Sequence, residues 1–197
     1  MPTSLSLPQP QRQGGATLTV VLDRRTSCRE FASEPLTSEA LGQCLWAAQG
    51  RNAHGRRTAP SAGALYPLEV YVLTPQAVER YDPAIHRLIH HLQRDLRREL
   101  ASAALGQMFL AAAPVTIVLC AVFERVAVRY GKQRGERYTL MEIGHAAQNV
   151  LLQAEALGLG SVAVGAFDDA EVQALLELPA GHIPLYLLPI GHPGPDS

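Results

Sequence analysis

The most informative stretch of the chain is Arg24-Arg25-Thr26-Ser27-Cys28-Arg29-Glu30-Phe31, which places three guanidinium groups and two hydroxyl groups in its first six positions. It follows a short apolar run, Leu18 to Leu22, that predicts a helix. The planar donor fork of arginine suits phosphate and carbonyl oxygens, so such a cluster at a helix end is a candidate anchor for a phosphorylated ligand. A solvated basic turn is the alternative that these residues leave open.

Length and composition predict one domain over residues 16–197, preceded by an extended arm over residues 1–15. A hydrophobic content of 47% supports a sizeable core, and a net charge of −1 gives no reason to expect a polyanionic partner such as a nucleic acid. Three widely spaced cysteines argue against a disulfide framework and for a reducing compartment. The arm lacks a signal-peptide core, and Pro114 interrupts the longest apolar run, so we expect a soluble cytoplasmic protein.

Apolar spacing, β propensity and turn residues predict the order of helices and strands. Helices are expected at Thr17–Asp23, Arg94–Leu110, Gly135–Leu157 and Asp168–Leu176. A further helix is expected to open at Thr37-Ser38-Glu39, with Ser38 as its N-cap, and to end at Gly50. Strands are expected at Leu68–Leu73, in a hairpin between Tyr81 and His91, and at Val115–Val122, Ser161–Val164 and Ile183–Ile190. The continuous apolar run Val115–Val122 is typical of a central strand covered on both faces. Without regular βαβ alternation, the fold class is expected to be α+β.

Four stretches, in their order and spacing, resemble the FMN-dependent nitroreductase family. They are Arg25-x-Ser27-x-Arg29-x-Phe31; Ala59-Pro60-Ser61-Ala62-Gly63-Ala64-Leu65-Tyr66-Pro67; Gly144-His145-Ala146-Ala147-Gln148-Asn149 with Ala156-Leu157-Gly158-Leu159-Gly160; and Val164-Gly165-Ala166-Phe167-Asp168 with Pro189-Ile190-Gly191-His192. The second stretch looks most like the SagB-type dehydrogenase branch, which includes oxidases that aromatise thiazolines and oxazolines in ribosomal peptides.

The resemblance implies a homodimer with a central mixed or antiparallel sheet flanked by helices, and with FMN bound at the subunit interface. The cofactor-binding residues that it implies are Arg25 and Ser27 at the phosphate, Arg29 at the pyrimidine edge of the flavin, Pro60, Ser61, Ala62 and Gly63 along the ring, Gly165 and Ala166 near flavin N5, and Gln148 and Asn149 in the long helix. Many family members carry basic residues after the last strand, and this chain has none there. Phosphate binding would therefore depend on Arg24 and Arg25, with His192 as the only candidate in the tail. We also expect the helix around Gly144–Leu157 to contribute to the dimer interface.

The expected activity is electron transfer from NAD(P)H through FMN to a small acceptor such as a nitroaromatic or a quinone, with ping-pong kinetics. One alternative is an azoline dehydrogenase acting on a modified peptide, and another is a flavin-binding protein without turnover. In azoline-oxidising members a Lys-Tyr pair before the long helix is implicated in proton removal, and Arg129 and Tyr130 occupy those positions here. Because arginine cannot serve as a base at working pH, Tyr130 is the remaining candidate, and efficient thiazoline oxidation is not expected.

Other groups of residues give weaker evidence for a catalytic or metal-binding site. Ser61 lacks the Gly-x-Ser-x-Gly elbow of a hydrolase nucleophile. His86, His90 and His91 could ligate a metal, but no cysteine or further histidine joins them at ligand spacing, so we expect no metal site. Cys28 lies between Ser27 and Arg29, and we interpret it as incidental to function.

Overall fold

The computed structural model describes residues 4–195, which fold around one seven-stranded sheet. The strands are β1 (Ser4–Ser6), β2 (Leu68–Leu73), β3 (Val78–Asp82), β4 (Arg87–Leu92), β5 (Val115–Ala121), β6 (Gly160–Ser161) and β7 (Ile183–Gly191). The helices are α1 (Leu18–Arg24), α2 (Ser38–Gln49), α3 (Arg97–Ala103), α4 (Phe109–Ala112), α5 (Glu124–Tyr130), α6 (Lys132–Ala156) and α7 (Asp169–Leu175). The strand order is β1-β4-β3-β2-β5-β7-β6, and each of these neighbouring pairs is antiparallel. The predicted α+β class and antiparallel sheet are confirmed.

The strand β5 is buried along its whole length, because helices cover both faces of the sheet. Alternate residues of β5 point to opposite faces. Ile117 and Leu119 pack on the side of α2 and α6, whereas Val118 and Cys120 pack on the side of α3 and α7. The prediction of a central, doubly covered strand is confirmed, although its neighbours run antiparallel to it.

The long helix α6 has one buried face and one exposed face. Ile143, Ala147 and Val150 contribute to the core at spacings of three and four residues. The helix ends where Gly158 takes a positive φ of 72°, as the sequence predicts. On the other face Leu140 and Met141 are exposed, which leaves an apolar surface in the middle of the helix.

The predicted helix Arg94–Leu110 is wrong. The chain forms α3 and α4 instead, and Leu105 and Gly106 between them have positive φ angles of 59° and 76°. Contacts that are distant in sequence fix this break: the Asp168 amide donates to the Ala103 carbonyl at 3.0 Å, and the Gln107 side chain donates to the Ala166 carbonyl at 2.8 Å. Amphipathic spacing continues across the break, so it could not show where the helix ends.

Two smaller predictions are also corrected. The N-cap of α2 is Thr37 rather than Ser38, since the Thr37 hydroxyl accepts a hydrogen bond from the Ala40 amide at 3.2 Å. The predicted strand Ser161–Val164 is reduced to β6 and an isolated bridge between Val164 and Leu187.

The segment before α1 contributes to the sheet, because β1 pairs with the edge strand β4. His86 binds this segment: its Nε2 lies 2.9 Å from the Pro8 carbonyl oxygen, while its Nδ1 lies 2.8 Å from the Tyr81 hydroxyl. His91 contacts the Leu176 carbonyl at 2.7 Å. Both histidines are thus used in packing the fold. Within residues 4–195, no helix is both long enough and apolar enough to cross a membrane.

Candidate functional site

The first stretch, Arg24–Phe31, begins at the last residue of α1. Backbone hydrogen bonds hold it against β6 and against the residues that follow β7. The Cys28 amide donates to the Ser161 carbonyl at 3.0 Å, and the Gly194 amide donates to the Glu30 carbonyl at 2.8 Å. Gly160 permits the close approach, because a Cβ at that position would lie 2.4 Å from Cys28 Sγ. Cys28 is buried by this packing, and its neighbours Ser27 and Arg29 point outward.

The arginines of this stretch carry unneutralised charge. Arg24 and Arg29 are exposed and Arg25 is half-buried. No carboxylate in the described part of the chain forms an ion pair with any of them. Arg29 lies over the Phe109 ring, with its Cζ 6.0 Å from the ring centroid. The three guanidinium groups can therefore bind an anion without first breaking a salt bridge.

A cavity of about 430 Å³ lies between this stretch and the end of α6. Ser27 and Arg29 line it, and so do the carboxylate residues Glu30 and Glu155. Arg24 and Arg25 are not among its lining residues. The structure thus brings only two of the four predicted phosphate and pyrimidine residues into one cavity.

The second stretch forms a tight turn before β2. Pro60 and Gly63 are exposed, whereas Ser61 and Ala62 are half-buried. The Ser61 hydroxyl accepts a hydrogen bond from the Tyr66 amide at 2.9 Å. The amides of Ala62 and Gly63 donate to no acceptor within residues 4–195. The turn therefore presents small side chains and two N–H donors that have no acceptor within residues 4–195.

The turn contacts the two residues predicted to be catalytic. At Gly63, where φ is 61°, a Cβ would lie 2.8 Å from Tyr130 Oη and 3.1 Å from Arg129 Nη1. Arg129 Cζ lies 5.4 Å from the Tyr130 ring centroid, and Tyr138 meets that ring edge-on at 5.2 Å. Residues nearly seventy positions apart in the sequence are thus in contact, and glycine is the residue that fits between them.

Glu142 lies in the same region and was not identified from the sequence. Its residue is 2% exposed, and Oε1 has no hydrogen-bond partner within residues 4–195. Burial raises the pKa of this carboxyl to about 7, although the neighbouring Ser61 and Gln49 side chains and the charge of Arg57 lower it. The signal was its position: Glu142 lies on the buried face of α6 with Ile143.

Gly165 and Ala166, the residues predicted near flavin N5, are exposed. Their amides donate to no acceptor within residues 4–195. The Ala166 carbonyl accepts from Gln107, which lies two positions before Phe109, the ring beneath Arg29. The link between this pair and Arg29 is therefore indirect, through the segment from Gln107 to Phe109.

The remaining predicted residues lie apart from this group. Gln148 is exposed on α6, and Asn149 donates to the Ala47 carbonyl at 3.1 Å. His192 lines a separate cavity of about 380 Å³, with its Nε2 3.8 Å from a Glu34 carboxylate oxygen. Its nearest charged neighbour is therefore an acid, which disfavours phosphate at that position.

Comparisons with known proteins agree with this architecture. The sequence profile of the nitroreductase family matches residues 22–192. A nitroreductase-family protein of Methanocaldococcus jannaschii is 46% identical over 178 residues, which are 87% of this chain and 88% of that protein. The FMN reductase (NAD(P)H) of Bacillus subtilis is 30% identical over 187 residues, which are 87% of this chain and 64% of that protein.

A solved structure of a nitroreductase-family protein from Ralstonia eutropha is also similar to this fold. Its TM-score is 0.88 at 32% identity, and the match covers 97% of this chain and 90% of that one. Since the family profile spans most of the chain and both sequence and fold agree, the chain belongs to the nitroreductase family and is an oxidoreductase.

Proposed function

We propose that the protein binds FMN and transfers electrons from NAD(P)H to a small organic acceptor of the quinone or nitroaromatic type. The observation that carries this proposal is the first stretch, whose three arginines have no carboxylate partner within residues 4–195. The similar FMN reductase of Bacillus subtilis supports the choice of cofactor and reductant. This chain matches 64% of that reductase, and the acceptor is part of the present proposal.

Three features of the chain fit FMN. Unpaired guanidinium groups match a phosphate, which is the cofactor's only strongly anionic group. The turn at Ala62 and Gly63 has small side chains, so backbone can approach a flat ring closely. The free amides of that turn and of Gly165 and Ala166 match the polar edge of an isoalloxazine.

In this assignment Arg25 and Ser27 hold the phosphate and Arg29 faces the pyrimidine edge. FMN, when bound, supplies the two-electron chemistry by accepting a hydride and returning electrons to a second substrate. The protein orients the reactants and excludes water. Arg129 supplies a permanent positive charge beside Gly63, and Tyr130 supplies a hydroxyl there. Neither an arginine base nor a metal is required.

We further propose that the active form is a homodimer. The exposed apolar side chains include Leu140 and Met141 on α6, at 46% and 55% exposure, and Leu18 and Leu22 on α1, which packs against α6. Gly144, one turn after Leu140, has no atom within 4 Å of the position that a Cβ would take. Exposed apolar side chains beside a glycine suit a two-fold contact between copies.

FMN titration of Arg25→Ala, followed by the quenching of flavin fluorescence, tests the cofactor assignment. Loss of a bidentate phosphate contact is expected to weaken binding by about 2 kcal/mol, or about thirtyfold. Arg56→Ala is the matched control, because Arg56 is exposed and forms no ion pair in the described part of the chain. Equal FMN affinity in wild type and Arg25→Ala would contradict the phosphate assignment.

The azoline dehydrogenase alternative is decided by comparing two substrates on FMN-loaded protein. We expect NAD(P)H-dependent reduction of a quinone or nitroaromatic, and no useful oxidation of a thiazoline peptide, because Arg129 cannot accept a proton at working pH. Efficient thiazole formation would overturn this choice. A protein that binds FMN but turns over neither substrate would support the non-catalytic alternative.

A further inference from the structure

The turn that carries Gly63 is held in an unfavourable backbone conformation. Gly63 has a φ of 61°, and the non-glycine residues Ala64 and Tyr66 have φ angles of 53° and 49°. Side chains with a Cβ rarely adopt such angles, and each instance costs on the order of 1 kcal/mol or more. Two of them within three residues persist only where the surroundings hold the backbone in place.

Tyr66 is held at three points by groups from different parts of the chain. Its amide donates to Ser61 Oγ at 2.9 Å, and its carbonyl accepts from Arg125 Nη1 at 3.1 Å. Its ring lies beneath Arg57, whose Cζ is 5.4 Å from the ring centroid. The amide and carbonyl bonds act on the backbone itself, so they restrict the angles that the turn can adopt.

Arg125 is in turn fixed by Glu69. One carboxylate oxygen of Glu69 pairs with Arg125, and the other pairs with Arg80 at 3.0 Å. Glu69 is 9% exposed; burial alone would raise its pKa, but the two guanidinium groups hold that pKa below its usual value. A buried and charged acid with two partners fixes the direction of both guanidinium groups.

The bond between Arg125 and the Tyr66 carbonyl connects the turn to the helix α5. Arg125 lies in the first turn of α5, and the same helix ends with Arg129 and Tyr130 against Gly63. Arg125 therefore ties the helix that carries those two side chains to the carbonyl of the turn that they contact. Arg125 is thus one tie between this part of the chain and α5, and another is the bond that the Val122 amide donates to the Pro67 carbonyl at 2.7 Å.

We propose that Glu69 and Arg125 are positioning residues of the cofactor site: through the Tyr66 carbonyl they hold the Gly63–Tyr66 turn in the shape that meets Arg129 and Tyr130. Neither residue needs to touch a ligand. The link to the cofactor rests on the proposed FMN-binding function, whereas the link to the turn does not.

Hydrogen exchange on the full chain without added FMN tests the link to the turn. Arg125→Ala is expected to increase the exchange rate of the Leu65 and Tyr66 amides by about tenfold, since the turn loses a charge-assisted bond that opposes its backbone strain. Arg80→Ala is the matched control: it also removes a half-exposed partner of Glu69 but has no contact with Tyr66. A change of less than about twofold is expected there.

FMN titration of the same variants tests the link to the cofactor. Arg125→Ala should weaken FMN binding about tenfold, and Arg80→Ala less than about threefold, at similar melting temperatures. If Arg125→Ala does not fold, Arg125→Lys replaces it. Lysine can pair with Glu69 but lacks the planar donor fork with which Arg125 reaches both a Glu69 carboxylate oxygen and the Tyr66 carbonyl oxygen.

The outcomes separate the two proposals. Equal exchange rates in Arg125→Ala and Arg80→Ala would show that the bond to Tyr66 does not hold the turn. Faster exchange with unchanged FMN affinity would show that the turn is not part of the cofactor site. If the wild-type protein binds no FMN, the proposed function fails, and the exchange experiment still decides whether Arg125 holds the turn.

Discussion

Replacing Glu142 by glutamine should stabilise the protein at alkaline pH and do so progressively less as the pH falls. Glutamine has nearly the shape of glutamate but no charge. Glu142 is almost fully buried on α6, and burial raises its pKa from 4.5 to about 7. The charged form is therefore the unfavourable one in the folded protein.

The sign and size of the effect follow from proton linkage. Below pH 4.5 the carboxyl is protonated in both the folded and the unfolded chain, and it contributes no pH dependence. Between pH 4.5 and about 7 the unfolded chain loses this proton while the folded chain retains it, so stability falls as the pH rises. Over that interval the loss amounts to about 3 kcal/mol, a large part of a typical total of roughly 5–15 kcal/mol.

Urea unfolding of wild type and Glu142→Gln at several pH values measures this directly. The difference in unfolding free energy should move in favour of glutamine by about 3 kcal/mol between pH 4.5 and pH 8. Other titrating groups, including His86 and His182, are common to both proteins and cancel in the difference. Glu136→Gln, at an exposed position of the same helix, is the matched control for the substitution itself. A pH-independent difference for Glu142→Gln would refute the argument.

Two further substitutions test the turn and the dimer. Gly63→Ala should lower the melting temperature and the FMN affinity, because its Cβ would lie 2.8 Å from Tyr130 Oη. Gly55→Ala is the control for the backbone penalty alone, since Gly55 has a φ of 72° and open space around it. Equal losses of melting temperature in the two variants would show that the contact with Tyr130 does not matter. Met141→Glu should shift a dimer towards monomer in light scattering at micromolar concentration, because the new charge would lose its water in the contact between copies. Ile85→Glu, in the exposed β3–β4 turn, is the control and should leave the dimer intact. A stable wild-type monomer with FMN bound would contradict the homodimer.

The sequence predicted those elements whose signal is local. The helix α2 and the helix α6 show apolar residues at spacings of three and four, and the same residues form the core. β-Branched residues predicted β2 and β5 within a residue of their ends. The break between α3 and α4 was missed because it depends on contacts with residues near Asp168, some sixty positions away.

The candidate site likewise contains features that the sequence predicted and features that it did not. The family resemblance assigned the Pro60–Gly63 segment to the flavin ring and the Arg129–Tyr130 pair to proton removal as separate predictions, and the structure places Gly63 against both side chains of the pair. The strain in the turn was not predictable, because Ala64 and Tyr66 are not residues that favour a positive φ. Glu142 was missed because an acid in a helix is normally assigned to the exposed face, although its spacing placed it on the buried one.

The distribution of cations limits where FMN phosphate can be anchored. No lysine or arginine occurs in residues 138–197, which include most of α6 and all of β6 and β7. Two of the three histidines of this segment are engaged elsewhere, since His182 Nδ1 lies 2.8 Å from the Tyr71 hydroxyl and His192 lies near Glu34, and the third, His145, is exposed on α6. Among the residues that line the cavity beside the end of α6, Arg29 is the one cation, so an anion bound there depends first on the arginines of Arg24–Phe31. For that reason the loss of Arg25 should not be compensated by the tail, and the expected thirtyfold effect (about 2 kcal/mol) on FMN affinity is a demanding test of the site.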